Sequence, residues 1–273
     1  MRLTDYERRA QREIESWERG QNENLLQQAL GFVLKPVDWA FNQFVPDSVV
    51  DQLGNGLNQV LGKLNDASEW TYDEKDLLAK AHEQGIEAET VDALRDEPLE
   101  KLDAVADTVA GPNTIMAALA GGGAGLGGVL FAVADVPVLF TINFRLIQQI
   151  GAAYGFPMKG PDFQPLVLAI FNVAASGSRQ AKSDALRELS VAGAAFAHGS
   201  GYRGRAAQGT LREQVGHLPR EIAKNLAGRK LAQMIPIAGA AVGAGVNYWF
   251  TDQTAEAARM LFRALYIERK DRL

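Results

Sequence analysis

The 273-residue chain contains no cysteine. That excludes disulfides, thiol catalysis and every cysteine-ligated zinc or iron–sulfur site. Histidine is scarce as well. His82, His198 and His217 stand far apart, and no pair has the short spacing of a helical metal motif. Neither a metal nor a cofactor is expected. Alternating β-branched runs bounded by turns are missing, so strands are not expected. The opening residues, MRLTDYERRAQREIESWERG, lack the apolar core of a secretory signal, which predicts a cytoplasmic location. There is no G-x-S-x-G, and no such motif supports a triad drawn from Asp184, His198 and Ser200.

What is present is an uneven charge distribution. The net charge of −5 conceals two opposite regions. Residues 1–112 carry 11 Lys/Arg against 23 Asp/Glu, and residues 113–273 carry 17 against 10. The expected organisation is an acidic N-terminal helical region, 1–112, forming one continuous domain with a glycine-rich, apolar and basic helical region, 113–273. The two should pack on each other, and positive surface left over should mark a membrane-facing side.

Helical periodicity dominates. Tyr6, Ala10, Ile14 and Trp17 share a face of a first helix. Thr4 and Glu7 have capping-box spacing at its start, and Gly20 can close it. NLLQQALGFVL and PVDWAFNQF read as further helical stretches. Val50, Leu53, Leu57, Val60, Leu61 and Leu64 form an apolar stripe. Thr71 and Glu74 repeat the capping spacing ahead of a short helix that ends at Gly85. An amphipathic segment from Pro98 to Ala110 is expected to stop at Gly111-Pro112, with Asn113 capping the next helix. Asp135 and Pro137 predict another break, and Asp252 the start of a last helix. The fold expected is an all-α multi-helix bundle with two Gly/Ala-rich central helices.

Six glycines fall within GGGAGLGG, residues 121–128. In an exposed helix each costs about 1 kcal/mol relative to alanine. Gly121 and Gly125, or Gly123 and Gly127, have the spacing that lets helix backbones approach closely, and Gly239 and Gly243 repeat it. The two segments are expected to pack through these faces, or against lipid. Residues 114–134 carry no charge and are long enough to span a bilayer, so integral insertion is an open alternative. Their seven Leu/Ile/Val/Phe supply only roughly 2–4 kcal/mol of insertion free energy. Gln233, Pro236 and Asn247 interrupt the second segment, 231–251. Gly123, Gly125 and Gly128 satisfy a dinucleotide fingerprint, but no strand precedes them. GSGYRGR, residues 199–205, puts Arg205 where a phosphate loop needs lysine.

Polar residues in apolar surroundings are the binding candidates. Asp135 reads as a helix cap or as a partner for a cation. Asn143, Arg145 and Gln149 lie on an otherwise apolar helix, and Arg145 and Gln149 are four apart. Asn247 is a further candidate. Residues 179–230 hold ten Lys/Arg against four Asp/Glu. Within them Arg203, Arg205, Arg220, Lys224, Arg229 and Lys230 are candidates for anionic lipid. No zinc finger, helix-turn-helix or RNA-binding aromatic motif accompanies the charge, so nucleic acid is not an expected partner. A faint internal likeness pairs Asp135 and Phe144-Arg145 with Asp252 and Phe262-Arg263.

LDAVADTVAGPN, ALAGGGAGLGG, the Asp135-Val-Pro137 step and INFRLIQQIGAAYG together resemble the EcsC family. IPIAGAAVGAGVNYWFTDQTAEAARMLFRALY is similar in order and character. The resemblance implies a helical, bacterial, membrane-linked protein and supplies no catalytic residues. The function expected is a non-enzymatic helical protein on the cytoplasmic face of the membrane, bound to anionic lipid or a membrane protein such as a transporter. The alternatives are a soluble carrier or sensor of an apolar ligand, and an enzyme using Asp135, Asn143 and Arg145.

Overall fold

The computed structural model describes residues 3–19, 47–63, 72–125, 129–156, 158, 163–176, 179–199, 217–232 and 239–272. These form ten helices, with no strand among the described residues, so the fold is all-α. In chain order they are α1 (Asp5–Glu18), α2 (Asp47–Lys63), α3 (Glu74–Glu83), α4 (Val91–Leu94) and α5 (Leu99–Gly125), then α6 (Val129–Ala153), α7 (Gln164–Ala175), α8 (Arg179–Gly199), α9 (Leu218–Ala232) and α10 (Gly239–Arg272).

The capping box of α1 forms as its spacing predicts. The Thr4 hydroxyl accepts from the Glu7 N–H at 3.2 Å, and the Glu7 carboxylate accepts from the Thr4 N–H at 2.7 Å. Ala10, Ile14 and Trp17 are buried, as are Val50, Leu53 and Leu57 of α2. Helix α3 starts differently from expectation. Asp73, not Thr71, is its cap and accepts from the N–H groups of Lys75 and Asp76 at 2.9 and 3.4 Å. It stands directly before the first turn, where a side-chain oxygen reaches the free donors. Gly85 follows α3 in the left-handed conformation (φ 70°). Gly20, NLLQQALGFVL and PVDWAFNQF lie outside the described residues.

Three expected breaks are absent. Helix α5 runs through Gly111-Pro112, α6 through Asp135 and Pro137, and α10 through Asp252. Pro112 has no N–H for the carbonyl of Thr108. Side chains around it bond back to the same stretch of helix. Thr108 donates to the Val105 carbonyl at 2.7 Å, Asn113 to that of Val109 at 2.7 Å and Thr114 to that of Ala110 at 3.0 Å. Leu102, Val105 and Val109 before the proline, and Ala117 after it, are buried on one face. Packing thus outweighs the local cost of proline. Asn113 and Asp135 are consequently helix-interior residues, not caps. In α10, Phe250, Thr251, Thr254, Ala257 and Ala258 are all buried, so the helix is anchored on both sides of Asp252.

Helix α10 is the axle, with α1, α5, α6, α7, α8 and α9 packed on it. Its most extensive partner is α5, which runs antiparallel: residue 103 stands opposite 263 and residue 107 opposite 259. Phe140, Phe144, Phe171 and Phe250 join α6, α7 and α10, with ring centroids 4.7–6.0 Å apart. A buried apolar cluster extends from Ala10 to Ile267, across both charge regions. At the end of α6, Gly155 takes φ 78°. A Cβ there would stand 2.4 Å from the backbone nitrogen of Arg95. The turn that glycine permits fixes Tyr154, the residue before it, inside the core.

Candidate functional site

The first half of α5 carries a buried charged frame. Asp103 lies on the stripe made by Leu99, Leu102, Ala106 and Val109, so helical period turns it inward. Arg263, only 4% exposed, reaches it from α10. Its Nε and Nη2 donate to the two Asp103 oxygens at 2.8 and 2.6 Å, and Nη1 donates to Glu13 of α1 at 2.8 Å. Asp103 also accepts from the hydroxyls of Tyr6 at 2.7 Å and Tyr154 at 2.5 Å. The carboxylate therefore has four donors, which offset its desolvation. Burial pushes the Tyr6 hydroxyl pKa up to about 12, and the neighbouring Asp103 adds to the rise. The same two causes raise Tyr154. Burial alone would lower Arg263, but bonding to Asp103 and the charge on it outweigh that and raise it.

Further pairs extend the frame along α10. Arg259 meets Asp107 at 2.9 Å, Arg269 meets Asp96 at 3.3 Å, and Lys270 meets Glu7 at 2.5 Å. Burial works to raise the Glu7 carboxyl. Hydrogen bonds from Lys270 and Thr4 prevail and hold it below the ordinary carboxylate range. Beside the frame, a cleft of about 360 Å³ opens between α5 and α10. Asp107, Gly111, Asp252, Glu256 and Arg259 are among the residues that line it. Burial raises the Asp252 carboxyl against a lowering bond from Gln253.

The second half of α5 is different. Ile115 is 61% exposed, Met116 46% and Leu119 74%. They share a face, since 115 and 119 are one turn apart. Gly111 and Pro112 are exposed one turn earlier, and no charged residue occurs from 113 to 134. Val138 of α6, 48% exposed, adds to the apolar surface of the same pair of helices. Isolated exposed apolar residues are ordinary. A charge-free helical face bearing three large ones marks a surface that is itself a candidate binding site.

The polar candidates read from the sequence separate. Asn143 is fully buried and donates to the Leu139 carbonyl at 2.8 Å and to Thr251 at 3.0 Å. Gln149 is buried and accepts from Asn113 at 2.9 Å, fastening α5 to α6. Arg145 is exposed, so it does not share the surroundings of Gln149 four positions on, and it does not join Asn143 in a pocket. Asn247 is buried. Arg220 and Lys224 are exposed on α9, opposite its buried Ile222, Ala223 and Leu226. The side chains of Asp135, Arg229 and Lys230 lie outside what is described, as do Arg203, Arg205, Gly127 and Gly128. Gly121, Gly123 and Gly125 belong to the last turns of α5, and Gly239 and Gly243 to the first turns of α10. Their surroundings are likewise outside the description. In the faint internal likeness, Phe144 and Phe262 are both buried, whereas Arg145 is exposed and Arg263 enclosed.

The charged frame was missed as a site in the sequence, although a signal was there. Asp103 interrupts a buried-face stripe, and Arg263 sits between Phe262 and Leu265. Within the described residues no helix is long and apolar enough to cross a membrane.

A family model described as the EcsC protein family matches residues 8–267. The chain is 23% identical over 256 residues to Uncharacterized protein YdbA of Bacillus subtilis (strain 168), an alignment covering 92% of this chain and 89% of that protein. It is 29% identical over 147 residues to Protein EcsC of the same organism, covering 54% of this chain and 56% of that protein. No solved structure matches. With the family model spanning nearly all of its length, the chain belongs to the EcsC protein family.

Proposed function

We propose that this is a membrane-binding helical protein that docks peripherally on the cytoplasmic leaflet through the second half of α5. The observation that carries this reading is the exposed, charge-free face of Ile115, Met116 and Leu119. Fully burying one such side chain contributes about 1.5–3 kcal/mol. These three are already partly covered, so together they supply roughly 3–6 kcal/mol on entering lipid. Arg220 and Lys224 of α9 add electrostatic attraction to anionic headgroups, about 1 kcal/mol each near the surface.

The charge pairing limits how far electrostatics can matter. Arg259, Arg263, Arg269 and Lys270 are paired with acids of residues 1–112. Binding led by apolar contact, with a modest salt dependence, is therefore expected. Vesicle flotation tests it. The protein should float with phosphatidylglycerol-containing vesicles and keep most of that binding when salt is raised. Recovery of all protein in the unbound fraction, at every lipid composition and salt level, contradicts the reading.

A further inference from the structure

We infer that Glu188, His217 and Glu221 form a binding site for a first-row divalent cation of the zinc class, joining α8 to the start of α9. The His217 Nε2 atom lies 3.2 Å from Glu188 Oε1 and 3.6 Å from Glu221 Oε2. All three ligand atoms fall within 4.8 Å of one another. Ligands about 2.1 Å from a tetrahedral zinc are about 3.4 Å apart, a value these two separations bracket. One imidazole and two carboxylates are a donor set suited to zinc and its neighbours, and poor for magnesium, which prefers oxygen alone. Two like-charged carboxylates drawn to one imidazole also leave excess negative charge that a cation neutralises.

The surroundings add an independent observation. Asn172 of α7 is 1% exposed, and its Nδ2 donates to the other Glu188 oxygen, Oε2, at 3.0 Å. This contact orients the carboxylate with Oε1 toward His217, as outer partners do around metal ligands. The Asn172 Oδ1 is buried without a hydrogen-bond partner among the described residues. The cluster is exposed to solvent at His217 and half-buried at Glu188 and Glu221. His217 and Glu221 are one turn apart, while Glu188 is 29 residues before His217. That separation is why no short sequence motif announces the site.

Calorimetric titration of the chelator-treated full chain with zinc chloride tests the site. Cobalt(II) absorption serves as a readout of coordination geometry. One zinc per chain is expected, with tetrahedral cobalt bands, a higher melting temperature in zinc and no response to magnesium. His217→Ala and Glu221→Gln should each weaken zinc binding by more than about tenfold. His217 is exposed, so its variant should keep the wild-type circular dichroism spectrum. His82→Ala and His198→Ala should bind zinc as the wild type does. Absence of zinc binding by the wild type, or binding undiminished in the folded His217→Ala variant, overturns the assignment and leaves an ordinary histidine–carboxylate pair.

Discussion

Between Leu99 and Ala110, helix α5 presents Asp103 and Asp107 to two arginines of α10. Between Gly111 and Leu119, the same helix presents Ile115, Met116 and Leu119 to solvent. Both stretches are helical and both pack one face against the core. They differ in the side chains set in and beside that face. In the first, acids of the N-terminal region fasten α1 and α5 to the C-terminal helix. In the second, no charge and no described neighbour covers the apolar side chains. The opposite charges of the two regions thus serve internal assembly, and the uncharged stretch is left as the outward-facing surface.

The largest effect should come from breaking the frame. Asp103→Ala removes four hydrogen-bond acceptor contacts and leaves the buried Arg263 guanidinium with Glu13 as its remaining acid partner, which costs about 3–5 kcal/mol. Urea denaturation would measure the loss. Replacing both partners, Asp103→Leu with Arg263→Met, should restore much of it, because the desolvation of both charges is relieved together. If the double variant is as unstable as the single one, the frame is doing more than satisfying its own charges.

Gly155→Ala should cost roughly 2–4 kcal/mol, from the positive φ and the clash with Arg95. Its thermal melt should shift down while vesicle binding by the folded protein stays unchanged. Tyr154→Phe should cost about 1.5–3 kcal/mol, the range for a hydrogen bond to a charged acceptor. The tyrosines also give the frame a pH signature. Their pKa values are raised above the unfolded value of about 10. The stability they contribute is fully present below that pH and is lost at higher pH, for Tyr6 as pH rises toward about 12. Circular dichroism across that range should show unfolding, with a smaller alkaline dependence in Tyr154→Phe.

The smallest stability effect should belong to the outer face. Ile115→Glu with Leu119→Glu should alter unfolding free energy by no more than about 0.5 kcal/mol per site, since neither side chain is buried. The same variant should lose most vesicle binding. A large loss of stability with retained binding would reverse the roles assigned to the two halves of α5.

Much of this architecture was legible in the residues. Thr4 and Glu7 announced the start of α1, and Ala10, Ile14, Trp17, Leu53 and Leu57 announced their buried faces. Helix continuity was less legible. Local rules place breaks at Pro112, Pro137 and Asp252, yet each helix runs through, and around Pro112 and Asp252 tertiary burial on both sides carries it. Burial of polar residues was the least legible of all. Asn143 and Arg145 are two positions apart on one helix, and only the packing of α6 against α10 decides that the first is enclosed and the second exposed. The charge split was visible, but not that Arg263, Arg259 and Lys270 would answer it from the far end of the chain.

The absence of cysteine makes the decisive measurement direct, because a single introduced thiol can be labelled uniquely. An environment-sensitive fluorophore on Leu119→Cys should shift to the blue and gain intensity on anionic vesicles. The same label on Glu100→Cys, exposed in the first half of α5, should not respond. Equal responses at the two positions, or none at either, would contradict a membrane-docking role for the outer face of α5.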